Sequence, residues 1–173
     1  MELFNKIKNP VIMGERLILR DINKKDIDSY YDLYTDEDLN KYWGYNYKED
    51  LPDLNIKKDY FYNFQQSLKD NKQEYSLAVT LNDFLIGEVV LHNFTCNSVE
   101  TGIRISKKYQ SFGYGREALT LLINYVKEVI KPDYITSKCY KINIRSELLL
   151  TKCGFIFKNE DEIYKHFIID LTK

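Results

Sequence analysis

Residues 99–130 read VETGIRISKKYQSFGYGREALTLLINYVKEVI. Residues 99–106 are compatible with a β-strand, and residues 107–114, which include Gly113, are predicted to form a loop. From Gly115 onward apolar residues recur every three or four positions, which predicts a long amphipathic helix. A strand that leads through a glycine-containing turn into a helix directs several main-chain N–H groups, and the positive end of the helix dipole, at one place. The stretch therefore predicts a site for phosphate.

The length and composition of the chain predict one folded domain spanning residues 1–173. The chain has 173 residues and 44% of them are hydrophobic, which is enough for a sizeable core. The formal net charge of -1 gives no basic surface for a nucleic-acid partner. No stretch resembles a signal peptide or a membrane span, so no membrane partner is expected. Three cysteines without CxxC spacing and two distant histidines favour a reduced, cytoplasmic protein without a metal.

The period of the apolar residues changes along the chain. Asn23 followed by Asp26 predicts a helix start, whereas residues 74–106 are β-like and contain a hairpin turn at Asn82-Asp83. The loop of residues 107–114 thus follows three consecutive antiparallel strands. Gly154 is expected to end the last helix. The predicted strands are residues 16–21, 74–81, 84–94, 99–106, 134–140, 155–158 and 163–170, and the predicted helices are about 23–34, 36–42, 55–68, 115–130 and 143–152.

The glycine-containing loop lacks two well-known phosphate-binding patterns. It has no GKS or GKT, which a P-loop requires. It also lacks G-x-G-x-x-G, because Ala118 occupies the third glycine position. A lone G-x-G is, by itself, more typical of a structural turn than of a binding site. The segments around this loop therefore have to indicate its function.

Four motifs in the same order resemble the GNAT superfamily of acetyl-CoA-dependent N-acetyltransferases. Its pattern Q/R-x-x-G-x-G/A is matched by Gln110, Gly113 and Gly115. Within the superfamily the chain looks most like the Rim-type branch, whose prototypes acetylate the N-terminal residues of ribosomal proteins. The three further motifs are RLILR at 16–20, IGEVVLH at 86–92, and the combination of NIRS at 143–146 with KCGF at 152–155.

The resemblance implies an α+β fold (α/β by some schemes) with a mixed, mostly antiparallel sheet of about seven strands and helices on both faces. It also implies acetyl-CoA as co-substrate and no metal. The loop would hold the CoA pyrophosphate through its main-chain N–H groups, the strand before it would pair with the pantetheine arm, and Asn143 and Ser146 would approach from the other side. The implied CoA residues are Ile103, Arg104, Ile105, Gln110, Ser111, Phe112, Gly113, Tyr114, Gly115, Asn143 and Ser146.

Acetyl transfer requires a neutral amine to attack a thioester. A lysine-type amine has a pKa of about 10.4, so a base must accept its proton, and the departing thiolate needs a donor. Glu100 is the first candidate for the base, with an ordinary ion-paired surface Glu as the alternative, and Glu88 is the second. Ser146 is the candidate acid, with a plain helix-start serine as the alternative. Many GNAT enzymes carry a Tyr acid where this chain has Leu150, so Ser146, Tyr140 or solvent must replace it.

An aromatic segment at residues 42–47 is the candidate acceptor wall. Its rings either cover the core or frame an amine by cation–π contact, and the sequence leaves both alternatives open. Trp43, Tyr45 and Glu88 are the expected substrate contacts. An acyl-cysteine intermediate on Cys96 or Cys139 is a minor alternative, because Cys is usually a small buried hydrophobe.

The predicted function is therefore acetyl transfer from acetyl-CoA to a primary amine, either a protein N-terminus or a small molecule. A non-catalytic acyl-CoA-binding or regulatory protein of the same fold is the alternative. A nucleotide-binding domain of another class is the third possibility, and it predicts binding of ATP or NAD. An exposed aromatic surface would permit a homodimer.

Overall fold

The fold is organised on one eight-stranded sheet with the strand order β1-β2-β3-β4-β5-β6-β8-β7. The computed structural model describes residues 2–51 and 56–172. Neighbouring strands are antiparallel except β5 and β6, which are parallel. The strands are β1 (Ile12–Met13), β2 (Leu17–Asp21), β3 (Glu74–Leu81), β4 (Phe84–His92), β5 (Ser98–Ile105), β6 (Tyr134–Tyr140), β7 (Ile156–Glu160) and β8 (Tyr164–Asp170).

Helices cover both faces of this sheet. The side chain of Asn23 accepts a hydrogen bond from the N–H of Lys25, and the carboxylate of Asp26 accepts one from the N–H of Asn23, so the predicted cap is formed. None of the helices described is long and apolar enough to cross a bilayer. The helices are α1 (Ile27–Thr35), α2 (Glu37–Asn40), α3 (Tyr47–Asp50), α4 (Tyr60–Asp70), α5 (Tyr114–Tyr125), extended by a π-helical segment Val126–Ile130, and α6 (Ile144–Lys152).

The two faces of the sheet bury two separate apolar clusters. Because side chains alternate along a strand, Leu77 points to one face and Ala78 to the other. Leu77 packs in the cluster that contains Leu119 of α5, and we call this side the α5 face. Ala78 packs in the cluster that contains Tyr30 of α1 and Phe61 of α4, and we call this side the α1 face. The mixed, mostly antiparallel α+β architecture is confirmed.

The boundaries differ from the prediction at a few places. Strand β1 was not predicted, because two residues are too short to show a period. Helix α4 begins at Tyr60 and not near residue 55; Ile56 packs against the α1-face cluster from outside the helix, and residues 52–55 lie outside the described part of the chain. Strand β4 ends at His92, where Asn93 adopts a positive φ of 49°. Gly154, with φ of 91°, follows α6 as predicted.

Candidate active site

Parallel strands β5 and β6 separate partway along their length. Their pairing covers only Ser98–Glu100 against Tyr134–Thr136, whereas β5 remains paired with β4 as far as Ile105. At the point of separation the Ser137 hydroxyl donates to the Thr101 carbonyl at 2.8 Å. The sheet therefore opens a cleft, and one wall of this cleft is the edge of β5 that β6 has left.

The cleft brings together most of the residues that were predicted for CoA. It has a volume of about 440 Å³. Phe112, Gly113 and Tyr114 belong to the loop but do not line the cleft. The predicted residues that do line it are Ile103, Arg104, Ile105, Gln110, Ser111, Gly115, Asn143 and Ser146.

The loop before α5 uses two left-handed residues to turn its backbone. Ser111 has φ of 69° and Gly113 has φ of 84°. Gly113 is the residue before the helix and supplies no side-chain cap, so the first N–H groups of α5 have no partner from it. Gly115 lines the cleft, and an added Cβ there would project toward Ile105 and Leu149, 3.8 and 3.7 Å away. The loop thus offers uncapped N–H groups beside an open space, which is the arrangement that phosphate requires.

Arg16 braces this loop from outside the cleft. Its Nη1 donates to the carbonyl of Phe112 at 2.9 Å, and its guanidinium lies 4.6 Å from the centre of the Tyr114 ring. Its Nε pairs with Glu117 Oε2 at 2.8 Å, and Glu117 Oε1 accepts from the N–H groups of Arg16 and Leu17. These hydrogen bonds hold the pKa of Glu117 below its usual value despite an opposing effect of burial. Sequence reasoning placed Arg16 in a strand motif but missed this contact.

Cationic and amide side chains complete the rim of the cleft. Gln110 Nε2 donates to the carbonyl of Ile105 at 2.8 Å, which ties the loop to the end of β5. Lys107 from the loop and the exposed Arg145 from α6 also line the cleft. Lys107 also pairs with Asp38 of α2. Asp38 also lines the cleft and offsets the charge of Lys107, whereas Arg145 adds a positive charge on α6.

The start of α6 forms the opposite wall. Asn143 Oδ1 accepts from the N–H of Ser146 at 3.2 Å, so Asn143 is the N-cap of the helix. Burial raises the pKa of the Cys139 thiol, and the nearby Glu147 carboxylate adds to this effect. A thiol kept protonated by burial is a poor nucleophile, which disfavours an acyl-cysteine step at Cys139. Leu150 is 2% exposed and lines the cleft, whereas Tyr140 does not line it.

A second cavity of about 340 Å³ lies on the α1 face and adjoins the cleft. Aromatic rings form much of its wall. The residues that line both cavities are Tyr42, Trp43, Gly102, Lys138 and Cys139. The remaining aromatic residues of the second cavity are Tyr34, Tyr45, Phe64, Tyr140 and Tyr164. We call this second cavity the acceptor pocket.

Glu100 lies in the acceptor pocket, as expected for a base. Its side chain is 16% exposed. Asn93 Nδ2 donates to Glu100 Oε2 at 2.9 Å, while Lys138 Nζ lies 3.6 Å and His92 Nε2 lies 3.7 Å from Oε1. The carboxylate is therefore partly buried and faces a cavity, and it also has the lysine partner that the alternative interpretation expects.

His92 is a further candidate that sequence reasoning missed. It lines the acceptor pocket beside Glu100, because the register of β4 and β5 places the two residues opposite each other. Burial lowers the pKa of His92, Glu100 opposes this effect, and Lys138 adds to it. His92 is thus uncharged at neutral pH and can accept a proton. The β4–β5 register is the signal that would have identified it.

Glu88 is not on the surface of either cavity. It is 1% exposed, Arg104 Nη2 lies 2.5 Å from its Oε1, and Tyr30 donates to its Oε2 at 2.6 Å. Arg104 is held between the rings of Tyr34 and Trp43, with its Cζ 3.9 and 4.7 Å from their centres. The structure therefore places Glu88 in a buried ion pair and places the Arg104 side chain on the α1 face.

The aromatic residues of segment 42–47 differ in whether they cover the core or face a cavity. Trp43 lines both cavities and lies close enough to Gly102 that an added Cβ would be 3.2 Å from Trp43 Cη2. Tyr45 lines the acceptor pocket and packs on Phe61, with 6.3 Å between ring centres. Tyr47 lies outside the acceptor pocket and packs against the α1-face cluster. Tyr45 therefore covers the core and faces a cavity, whereas Trp43 faces both cavities and stacks on Arg104.

The sequence matches the acetyltransferase (GNAT) domain over residues 16–156, a range that includes both walls of the cleft. It is 26% identical over 145 residues to the uncharacterized N-acetyltransferase YnaD of Bacillus subtilis, covering 83% of this chain and 81% of that protein.

Two solved structures illustrate the similarity of the fold. RimJ of Mycobacterium smegmatis, in complex with CoA-disulfide, has a TM-score of 0.76 at 12% identity, over 94% of this chain and 88% of that chain. Spermidine N-acetyltransferase from Vibrio cholerae, in complex with CoA and spermine, has a TM-score of 0.75 at 20% identity, over 92% of this chain and 98% of that chain.

Proposed function

Because the chain belongs to the acetyltransferase (GNAT) domain family of acetyl-CoA-dependent enzymes, we propose that it transfers the acetyl group to a primary amine. The amine is either the α-amine of a protein N-terminus or that of a small molecule. The family identified from the sequence motifs is confirmed. The observation that carries the proposal about the amine is the junction of the cleft and the acceptor pocket, where Trp43, Gly102 and Cys139 line both.

The residues of the cleft fit the parts of acetyl-CoA. The uncapped N–H groups that follow Gly113 and the cations Lys107 and Arg145 suit the pyrophosphate. The edge of β5 at residues 103–105 suits the amide-bearing pantetheine arm, because an extended chain can add to a free strand edge. The amide of Asn143 faces this edge from α6. The thioester then lies where β5 and β6 separate.

Glu100 and Ser146 have the proton-transfer roles in the proposed reaction. The acceptor ammonium loses a proton toward Glu100, through water, and the neutral nitrogen attacks the thioester carbonyl. The nitrogen–carbon bond forms and the carbon–sulfur bond breaks. The nitrogen releases its second proton, and Ser146 passes a proton to the departing thiolate and regains one from the nitrogen, so its hydroxyl is restored. Neutral His92, beside Glu100, is an additional proton acceptor. Ser146 is preferred to Tyr140 as the donor because only Ser146 lines the cleft.

Two measurements test this proposal. Acetyl-CoA and CoA at about 100 times Kd are expected to stabilise the protein by about 2.7 kcal/mol, whereas ATP and NAD leave its Tm unchanged. Release of free thiol from acetyl-CoA should then depend on an added amine, tested with alkylamines and with peptides that have a free N-terminus. Stabilisation by CoA without amine-dependent thiol release would support a non-catalytic acyl-CoA-binding protein.

A further inference from the structure

The acceptor pocket contains a carboxylate, Glu74, that has no ion-pair partner in the described part of the chain. Glu74 lies at the start of β3, lines the pocket and is partly buried. This burial, together with the nearby Glu88 carboxylate, raises the pKa of Glu74 above its usual value. Gln65 Nε2 and the Ser76 hydroxyl donate to Glu74 Oε1 at 3.0 and 3.2 Å. Among residues 2–51 and 56–172, no Lys, Arg or His side chain lies within ion-pair distance of Glu74.

Gln65 adds an unused hydrogen-bond acceptor at the same place. It lines the pocket, is 4% exposed, and its Oε1 has no hydrogen-bond partner in the described part of the chain. Its Nε2 donates to the Tyr34 hydroxyl at 2.7 Å and to Glu74, so the amide orientation is fixed, since the reverse would place oxygen against a carboxylate. A buried acceptor without a donor costs free energy, and a ligand that donates hydrogen bonds would recover it.

The register of the sheet separates this place from the Glu100 end of the pocket. Glu74 pairs with His92 across β3 and β4, and His92 pairs with Glu100 across β4 and β5, so the three side chains share the α1 face. With strands about 4.8 Å apart, the backbones of Glu74 and Glu100 are roughly 10 Å apart. Lys138 accompanies Glu100 but not Glu74. The pocket therefore favours one reacting amine near Glu100 and a second cation near Glu74.

We propose that the acceptor is a small aliphatic diamine or polyamine, whose far ammonium group is bound by Glu74 and Gln65 while its reacting amine lies near Glu100. The inference rests on the proposed function and makes Glu74 and Gln65 specificity-determining residues. An ammonium supplies the positive charge that would neutralise Glu74, and it supplies hydrogen-bond donors for Gln65 Oε1. The rings of Tyr34, Tyr45 and Phe64 line the same pocket and favour a cation over an anion. The volume of about 340 Å³ suits a small ligand.

Calorimetry with CoA-saturated protein tests this proposal with 1,5-diaminopentane and hexylamine, which has a methyl group in place of the second ammonium. The wild-type protein is expected to bind the diamine about tenfold more tightly, because a charged hydrogen-bonded pair is gained. The substitution Glu74→Gln keeps the acceptor oxygen and should remove most of this preference. In the matched control Glu128→Gln, an exposed carboxylate on the π-helical segment, the preference should remain.

The outcomes separate this inference from the proposed function. If CoA does not bind, the proposed function fails. If CoA binds and the two amines bind the wild-type protein equally, the diamine site is overturned and the acetyltransferase proposal stands; this comparison needs no variant. A peptide with N-terminal lysine that binds more tightly than every diamine tested would also overturn the small-molecule class. A Glu74→Gln protein that keeps the full preference would overturn the role of Glu74.

Discussion

The two faces of the sheet contribute to the site in different ways. On the α5 face the cleft presents main-chain groups, namely the uncapped start of α5 after Gly113 and the free edge of β5. On the α1 face the pocket is built from polar side chains of separate strands, such as Glu74, His92 and Glu100. We therefore expect binding in the cleft to depend on backbone conformation, whereas binding in the acceptor pocket depends on the charge and identity of side chains. Substitutions on the two faces should therefore change different properties of the protein.

The largest expected effect is on stability, at the buried pair of the α1 face. Glu88→Gln leaves the Arg104 guanidinium, 4% exposed, without its carboxylate partner. Breaking a buried ion pair in this way costs about 3–5 kcal/mol, which denaturant unfolding would measure. The control Glu160→Gln removes an exposed partner of Lys141 and should not change the unfolding midpoint. An unchanged midpoint for Glu88→Gln would mean that Arg104 does not need its partner.

The next effect is on catalysis, also on the α1 face. Glu100→Gln is expected to lower kcat/KM about 10²-fold, or about 2.7 kcal/mol, because the amine loses its proton acceptor. The Kd of CoA should not change, since Glu100 does not line the cleft. His92→Gln, measured in parallel over a pH series, shows which group sets the acidic limb of the profile. If Glu100→Gln leaves the rate and the pH profile unaltered, Glu100 is not the base.

The same difference explains what the sequence could predict. The loop motif, the helix predicted from residue 143 and the strand periods are local signals, and the structure has them close to where they were expected. The neighbours of Glu100 are not local: His92 is opposite it only because of the β4–β5 register, and Lys138 comes from β6. Strand pairing, and not local pattern, assembles the acceptor pocket. This is why Glu74 and Gln65 were not recognised, although each lies in a correctly predicted type of element.

Glu88 is the opposite case, a residue that the sequence predicts for the site but that the structure buries away from it. The IGEVVLH stretch places Glu88 on a strand beside the candidate base, and an acidic residue there is a reasonable substrate contact. Alternation along the strand gives its face, but it does not give its depth. Only the packing of α1, which brings Tyr30 onto the carboxylate, and the pairing with Arg104 show that Glu88 is enclosed. Burial of a polar side chain depends on partners that a single sequence does not reveal.

A smaller effect is expected on the α5 face, where the backbone determines binding. Gly113→Ala places a Cβ at φ of 84°, 3.4 Å from Arg16 Nη2, so the loop must adjust. We expect the KM for acetyl-CoA to rise about tenfold, or about 1.4 kcal/mol, with a smaller change in kcat. Gly154→Ala is the matched control, because Gly154 has φ of 91° with nothing within 4 Å of its added Cβ, and it does not line the cleft. Equal changes in KM for both variants would mean that loop conformation does not determine binding.

The smallest expected effect is a gain in stability from the α1 face. Glu74→Gln removes a partly buried charge that has no ion-pair partner among the described residues, so it should raise the free energy of unfolding by about 1 kcal/mol and Tm by about 2–4 °C.

The pH dependence of this gain follows from the direction of the pKa shift. Burial raises the pKa of Glu74 above its usual 4.5, so between these two values the folded protein binds more protons than the unfolded chain. Wild-type stability therefore falls as pH rises through that window. The gain from Glu74→Gln should be present at neutral pH and should disappear as pH falls toward 4.5. A gain that persists at low pH would have another cause than the charge. A variant that gains stability at neutral pH while losing the preference for a diamine would show that this carboxylate is retained for binding at the expense of stability.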